Sequence, residues 1–142
     1  MSWWSDLFSR DDESANPVDY YAEGVQLLRS GHYHEAVTSF RLALREDPND
    51  SAVLQQIAIA YTRIGMTEEA ARTYRSVLQT DPTASGAHYG LAFLLLREGR
   101  GEEAVTHLRS FLKLAPRTAE ASRHIEHARA TLRELSGQPE TE

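Results

Sequence analysis

The side chains best able to do chemistry are six histidines, His32, His34, His88, His107, His124 and His127, and a few paired carboxylates. His32 and His34 flank Tyr33 at a predicted turn between helices. His124 and His127 stand three apart, a spacing that puts both rings on one side of a helix. Two imidazoles do not close a zinc site, which takes four ligands, and the chain has no cysteine to complete one. The pairs Glu68–Glu69 and Glu102–Glu103 each open a predicted helix, where the positive end of the dipole favours carboxylates; that role accounts for them without catalytic pairing. The sequence contains no nucleophile elbow, phosphate-cradling glycine loop or dinucleotide fingerprint. The expectation is a protein that is not an enzyme, with no catalytic residue, metal or cofactor.

What positions these residues is a repeat. Glycine falls at 31, 65 and 99, alanine at 36, 70 and 104, and proline at 48, 82 and 116, each set 34 residues apart. Three unlike residue types keeping one period mark a repeat architecture. Each period holds two apolar-periodic segments. The predicted helices are 18–30, 33–46, 52–64, 68–80, 86–98 and 102–114. Gly31, Gly65 and Gly99 divide each pair, and Asp47-Pro48, Asp81-Pro82 and Ala115-Pro116 end the second segments. Pro17 suits a first helical turn, and Thr67 suits an N-cap. A last helix, 118–135, carries Ala121, Ile125, Ala128, Leu132 and Leu135 on one face and Glu, Arg and His on the other, as a terminal cap with one neighbour should.

The pattern resembles the tetratricopeptide repeat (TPR) family over about residues 17–135. The family's large positions carry Tyr20, Leu54 and His88, then Leu27, Tyr61 and Leu95, then Phe40, Tyr74 and Leu108. Its small positions carry Gly24, Ala58 and Ala92, then Ala36, Ala70 and Ala104. Small residues let two helices cross closely, while the aromatic and leucine side chains fill the gaps beside the crossing. The resemblance implies an all-α fold: a right-handed superhelical solenoid of three helix pairs (17–50, 51–84, 85–118) plus a C-terminal capping helix (118–135). Two positions depart from the pattern. Glu23 replaces the apolar residue of Ile57 and Leu91, so that face of the first helix should be open. Phe111 stands where Ala43 and Val77 stand, so the cap should sit off slightly to admit it.

In this family the first helix of each pair lines the concave side. The resemblance therefore assigns the groove to Tyr21, Val25, Leu28 and Arg29, then Gln55, Ile59, Thr62 and Arg63, then Tyr89, Phe93, Leu96 and Arg97. Ala52, Val18 and Gly86 occupy the matching positions at its start. The spacing independently gives the first helix a second apolar face, since Tyr21, Val25 and Leu28 lie at i, i+4 and i+7. An apolar strip with an arginine margin suits a peptide or amphipathic helix of another protein, its carboxylates meeting the arginines. The carboxylate clamp of chaperone-binding TPR modules is not expected. At the clamp positions stand Tyr21 and Val25, then Gln56, then Tyr89 and Phe93, which supply neither amine nor asparagine.

Length and composition bound the class, to one compact domain or one short solenoid. The chain has 142 residues, 41% apolar and 25% charged, with a formal charge of -6. That argues against nucleic acid as a partner. Residues 1–10 form no signal-peptide pattern, and the apolar run Gly90–Leu96 is far shorter than the roughly 20 residues of a spanning helix, so a cytoplasmic setting without membrane contact is expected. Residues 1–16 read as a separate unit, an aromatic knob (Trp3, Trp4, Leu7, Phe8) followed by a polar, acidic linker; residues 136–142 read as a frayed tail. The alternative function is a self-associating scaffold in which that knob docks on its own or a neighbouring copy's solenoid.

Overall fold

A computed structural model of the chain describes residues 17–137. The aromatic knob and the last residues of the tail lie outside the described residues. Among the described residues, helices run in order α1 (Tyr20–Arg29), α2 (Tyr33–Ala43), α3 (Ser51–Ile64), α4 (Thr67–Thr80), α5 (Ser85–Arg97), α6 (Gly101–Leu114) and α7 (Ala119–Ser136). Each helix packs on the next, and α1, α3 and α5 also touch in succession. The result is an all-α solenoid of three helix pairs closed by a capping helix.

The 34-residue period is repeated in the backbone hydrogen bonds. His32, Met66 and Arg100 donate N–H to the carbonyls of Leu27, Tyr61 and Leu95 at 2.8, 2.9 and 2.9 Å. Gly31, Gly65 and Gly99 donate to Leu28, Thr62 and Leu96 at 3.1, 3.2 and 3.1 Å. This paired closure satisfies carbonyls left open at the helix end and needs a left-handed residue, which glycine supplies at φ 82°, 91° and 76°. The chain re-enters a helix at once, so α2, α4 and α6 start without a side-chain cap. Thr67 is therefore not an N-cap; Met66 holds that place and Thr67 is the first helical residue.

Of the other helix starts, α1, α3 and α7 are capped by side chains, while α5 follows Ala84, which has none to offer. The Asp50 carboxylate accepts from Ala52 N–H at 3.0 Å and Val53 N–H at 3.3 Å, and Thr118 Oγ1 accepts from Ala121 N–H at 3.2 Å. Asp19 accepts from Ala22 N–H at 3.0 Å, which starts α1 at Tyr20 and leaves Pro17 ahead of the first turn instead of within it. The second helix also ends earlier than 46. Arg45 N–H bonds Leu42 O, three residues back, as the chain turns toward Asp47-Pro48.

Most of the solenoid shares one core, from Ala36, Val37 and Phe40 through Ile57, Tyr61, Ala70 and Tyr74 to Leu91, Leu94 and Leu95. A second cluster joins Ala92, Leu108, Phe111 and Ala115 to Ile125, Ala128 and Leu132 of the cap. Phe111 is buried there beside the small residues Ala115 and Ala128. Glu23 is exposed where Ile57 and Leu91 are buried, so the outer face of α1 is open among the described residues. Leu135, expected on the packing face of the cap, is exposed. The 18-residue α7 is longer than the 14-residue α6 on which it packs.

Candidate functional site

A groove of about 790 Å³ is floored by α3 and α5. Of the predicted residues it brings together Ile59, Thr62, Arg63, Gly86, Tyr89, Phe93, Leu96 and Arg97. Tyr21, Val25, Leu28, Arg29 and Gln55 do not line it. Tyr21 instead borders a second depression of about 740 Å³ at the N-terminal end, with Val18, Leu42 and Ala52. Val25 and Leu28 are half-buried against the main core. Arg29 is exposed. Gln55 is engaged between helices: its Nε2–H donates to Ser51 Oγ at 3.1 Å, and its Oε1 lies 2.8 Å from where a Cβ on Gly86 would stand.

Tyr74 of α4 forms part of the floor by crossing beneath α5. A Cβ on Gly90 would lie 2.3 Å from Tyr74 Cζ, so the absence of a side chain at 90 is what lets the ring pass. Burial pushes the Tyr74 phenol up to about 12, with a hydrogen bond to Thr62 acting the other way. It is a neutral wall, not an acid.

The C-terminal wall comes from the cap. The Tyr89 hydroxyl meets His127 Nδ1 at 2.7 Å. The His127 ring stacks on Phe93 at 4.5 Å and 6°, and the His124 ring meets Tyr89 edge-on at 4.8 Å. Tyr89 also packs on Phe93 at 4.8 Å and on Phe111 at 5.0 Å. Burial raises the Tyr89 phenol above its ordinary value. The pair His124 and His127, read from the sequence as a polar helix face, is thus part of the groove. Their spacing of three was visible, but their partners Tyr89 and Phe93 lie in a different repeat.

The groove is chemically one-sided. Its floor is Ile59, Tyr89, Phe93, Leu94 and Leu96, and its ionisable margin is Arg63, Arg97, His124 and His127. No carboxylate lines it, although the whole chain carries a formal charge of -6. Such a surface can hold an apolar strip flanked by acids.

A separate histidine pair closes the third hairpin. His88 Nε2 lies 2.9 Å from the Pro82 carbonyl, which can only accept, so that nitrogen carries a proton. With His88 neutral, His107 Nδ1–H then donates to His88 Nδ1 across 3.0 Å. Burial first, and the neighbouring His88 ring second, push His107 below its ordinary value, since a second proton in the pair would meet the first. Among the described residues no three His, Cys, Asp or Glu side chains are grouped to hold a metal ion. No helix among them is long and apolar enough to cross a membrane.

Two tetratricopeptide repeat models match the chain, at residues 17–50 and 65–123. No curated protein matches it. Among solved structures it is similar to the Yersinia enterocolitica type III secretion chaperone SycD in complex with a peptide of the translocator YopD. That match has 20% identity and a TM-score of 0.76, covering 82% of this chain and 89% of that one. It is also similar to PcrH in complex with the chaperone binding region of PopD, at 19% identity and TM-score 0.75, covering 83% and 89%. A third similar structure is the first TPR of Spaghetti bound to an HSP90 peptide, at 20% identity and TM-score 0.70, covering 83% and 88%. These likenesses are of fold. With its three 34-residue helical hairpins, their shared glycine closures and the two repeat models, the chain belongs to the tetratricopeptide repeat family.

Proposed function

We propose that this chain is a cytoplasmic adaptor that holds a peptide or amphipathic helix of another protein in the groove between α3, α5 and α7, with no chemistry of its own. The observation that carries this is the pairing of an apolar floor with a wholly basic margin in an acidic protein. Leu or Phe at helical spacing would fill the floor, and flanking carboxylates would meet Arg63 and Arg97. Repeat scaffolds serve many partners, so the fold alone names none. Support of a general kind comes from the SycD and PcrH structures, each of which contains a segment of another protein.

The reading is tested with a labelled synthetic helix bearing Leu at i, i+3, i+4 and i+7 with Glu on its flanks, beside a twin in which Lys replaces Glu. The wild-type protein should bind the Glu peptide and reject the Lys peptide. Arg63→Glu with Arg97→Glu should invert that preference, because both arginines are exposed and the change leaves the floor intact. Equal binding of the two peptides, or a double variant that binds as the wild type does, removes the groove from consideration.

A further inference from the structure

We propose that the chain carries its own occupant for this groove: the aromatic and acidic segment Trp3–Glu13, which competes in cis with a partner. The inference rests on the groove reading above and adds a regulator to it. The segment has the chemistry that the groove selects. Trp4, Leu7 and Phe8 stand three and four apart, and Asp6, Asp11, Asp12 and Glu13 outnumber the single Arg10.

Charge chooses between the two concavities. The depression at the N-terminal end is nearer in sequence but is lined by Asp19, Glu46 and Asp50 against one Arg45, so it repels an acidic segment. The groove offers Arg63, Arg97, His124 and His127 with no acid among its lining residues. Length permits the longer reach. Fully extended, residues 9–16 could reach at most roughly 26 Å at about 3.3 Å per residue. That would bring the apolar part, residues 3–8, to the floor with the acids at 11–13 along the approach. Because α1, α3 and α5 touch in succession, with axes about 10 Å apart, α5 lies on the order of 20 Å from α1.

A tethered occupant acts at an effective concentration near millimolar, so an intrinsic affinity of about 0.1 mM would weaken partner capture roughly tenfold. Removing residues 1–16 should therefore tighten binding of the Glu-flanked peptide by about that factor.

The chain's two tryptophans are Trp3 and Trp4, so tryptophan emission of the full-length protein reads this segment alone. The expected result is blue-shifted emission shielded from acrylamide. It should become water-like in Arg63→Glu/Arg97→Glu and be restored when Asp11→Lys, Asp12→Lys and Glu13→Lys are added. Far-UV dichroism checks that helix content is unchanged. Water-like emission in the wild type overturns the proposal, as does shielded emission indifferent to the arginine reversals. Shielding lost on dilution, with a dimer mass at high concentration, moves the segment to a neighbouring copy and overturns the cis assignment. The two readings fail separately. A Glu peptide that binds through the arginines while the tryptophans stay water-like sinks only the built-in occupant. Charge-dependent tryptophan shielding without peptide binding sinks only the partner reading.

Discussion

The facing Nδ1 atoms of His88 and His107 form a tightly constrained titratable contact. One proton fits between them, and a second would set N–H against N–H. His107 is also faced by Glu103, which favours its charged form, and by Arg75, which opposes it, but burial and His88 dominate and lower its affinity for a proton. The sign follows from linkage. A histidine whose folded pKa lies below its ordinary 6.5 contributes stability that is complete above that value and is lost as pH falls below it. Urea midpoints should therefore drop between pH 7.5 and 5.5, and His107→Gln should flatten the drop. An equally steep loss in that variant would assign the pH dependence to other groups. The same scale explains Gly90, which a sequence reading passes over. Its need for a bare Cα comes from a tyrosine ring 16 positions earlier, not from its own helix.

At the scale of elements, two kinds of helix start alternate through the solenoid. Those after a glycine closure are set by backbone bonds, and those after an Asp-Pro or Ala-Pro stop by a side-chain cap, except α5, whose Ala84 makes none. The distinction separates two threonine and aspartate positions that look alike in sequence. Asp50→Ala should cost about 1 kcal/mol in denaturant unfolding, the usual loss for an N-cap whose oxygen serves two amides. Thr67→Ala should cost far less, because Thr67 caps nothing. If the two losses were equal, the hairpin closure would not be what starts α4. Helix identity was legible because its signals are local: apolar spacing, a glycine after the last turn, a proline beyond. Helix ends were less so. Asp19 competes with Pro17 as a start, and only the bond to Ala22 shows which prevails.

At the scale of the whole molecule, a solenoid is stabilised by contacts between neighbours, so damage at one end should stay there. The second core cluster depends on Ile125, Ala128 and Leu132 of α7. Deleting residues 118–142 should raise amide exchange in α5 and α6, where Leu108 and Phe111 lose their cover, while α2 and α3 keep near-native protection. Uniform loss of protection would mean that the array unfolds as a single unit. The cap also remodels the groove. Its His124 and His127 wall one end of the groove, whose other lining residues come from the second and third repeats; the first-repeat part of the strip foreseen from Tyr21 to Arg97 lies outside it.

The sequence by itself determined the repeat, the seven helical segments, the crossing residues and an arginine at the same step of each hairpin, because a 34-residue period and helical spacing are properties of neighbours along the chain. It also named most of the residues that line the groove. Only the tertiary structure decided where that groove begins and ends. Tyr89 and His127 stand 38 residues apart and meet through side chains from different elements. Tyr21 points to the opposite end of the array because its repeat has no predecessor among the described residues to build a wall against. Packing across the stack obeys distance in space, which periodicity along the chain does not encode.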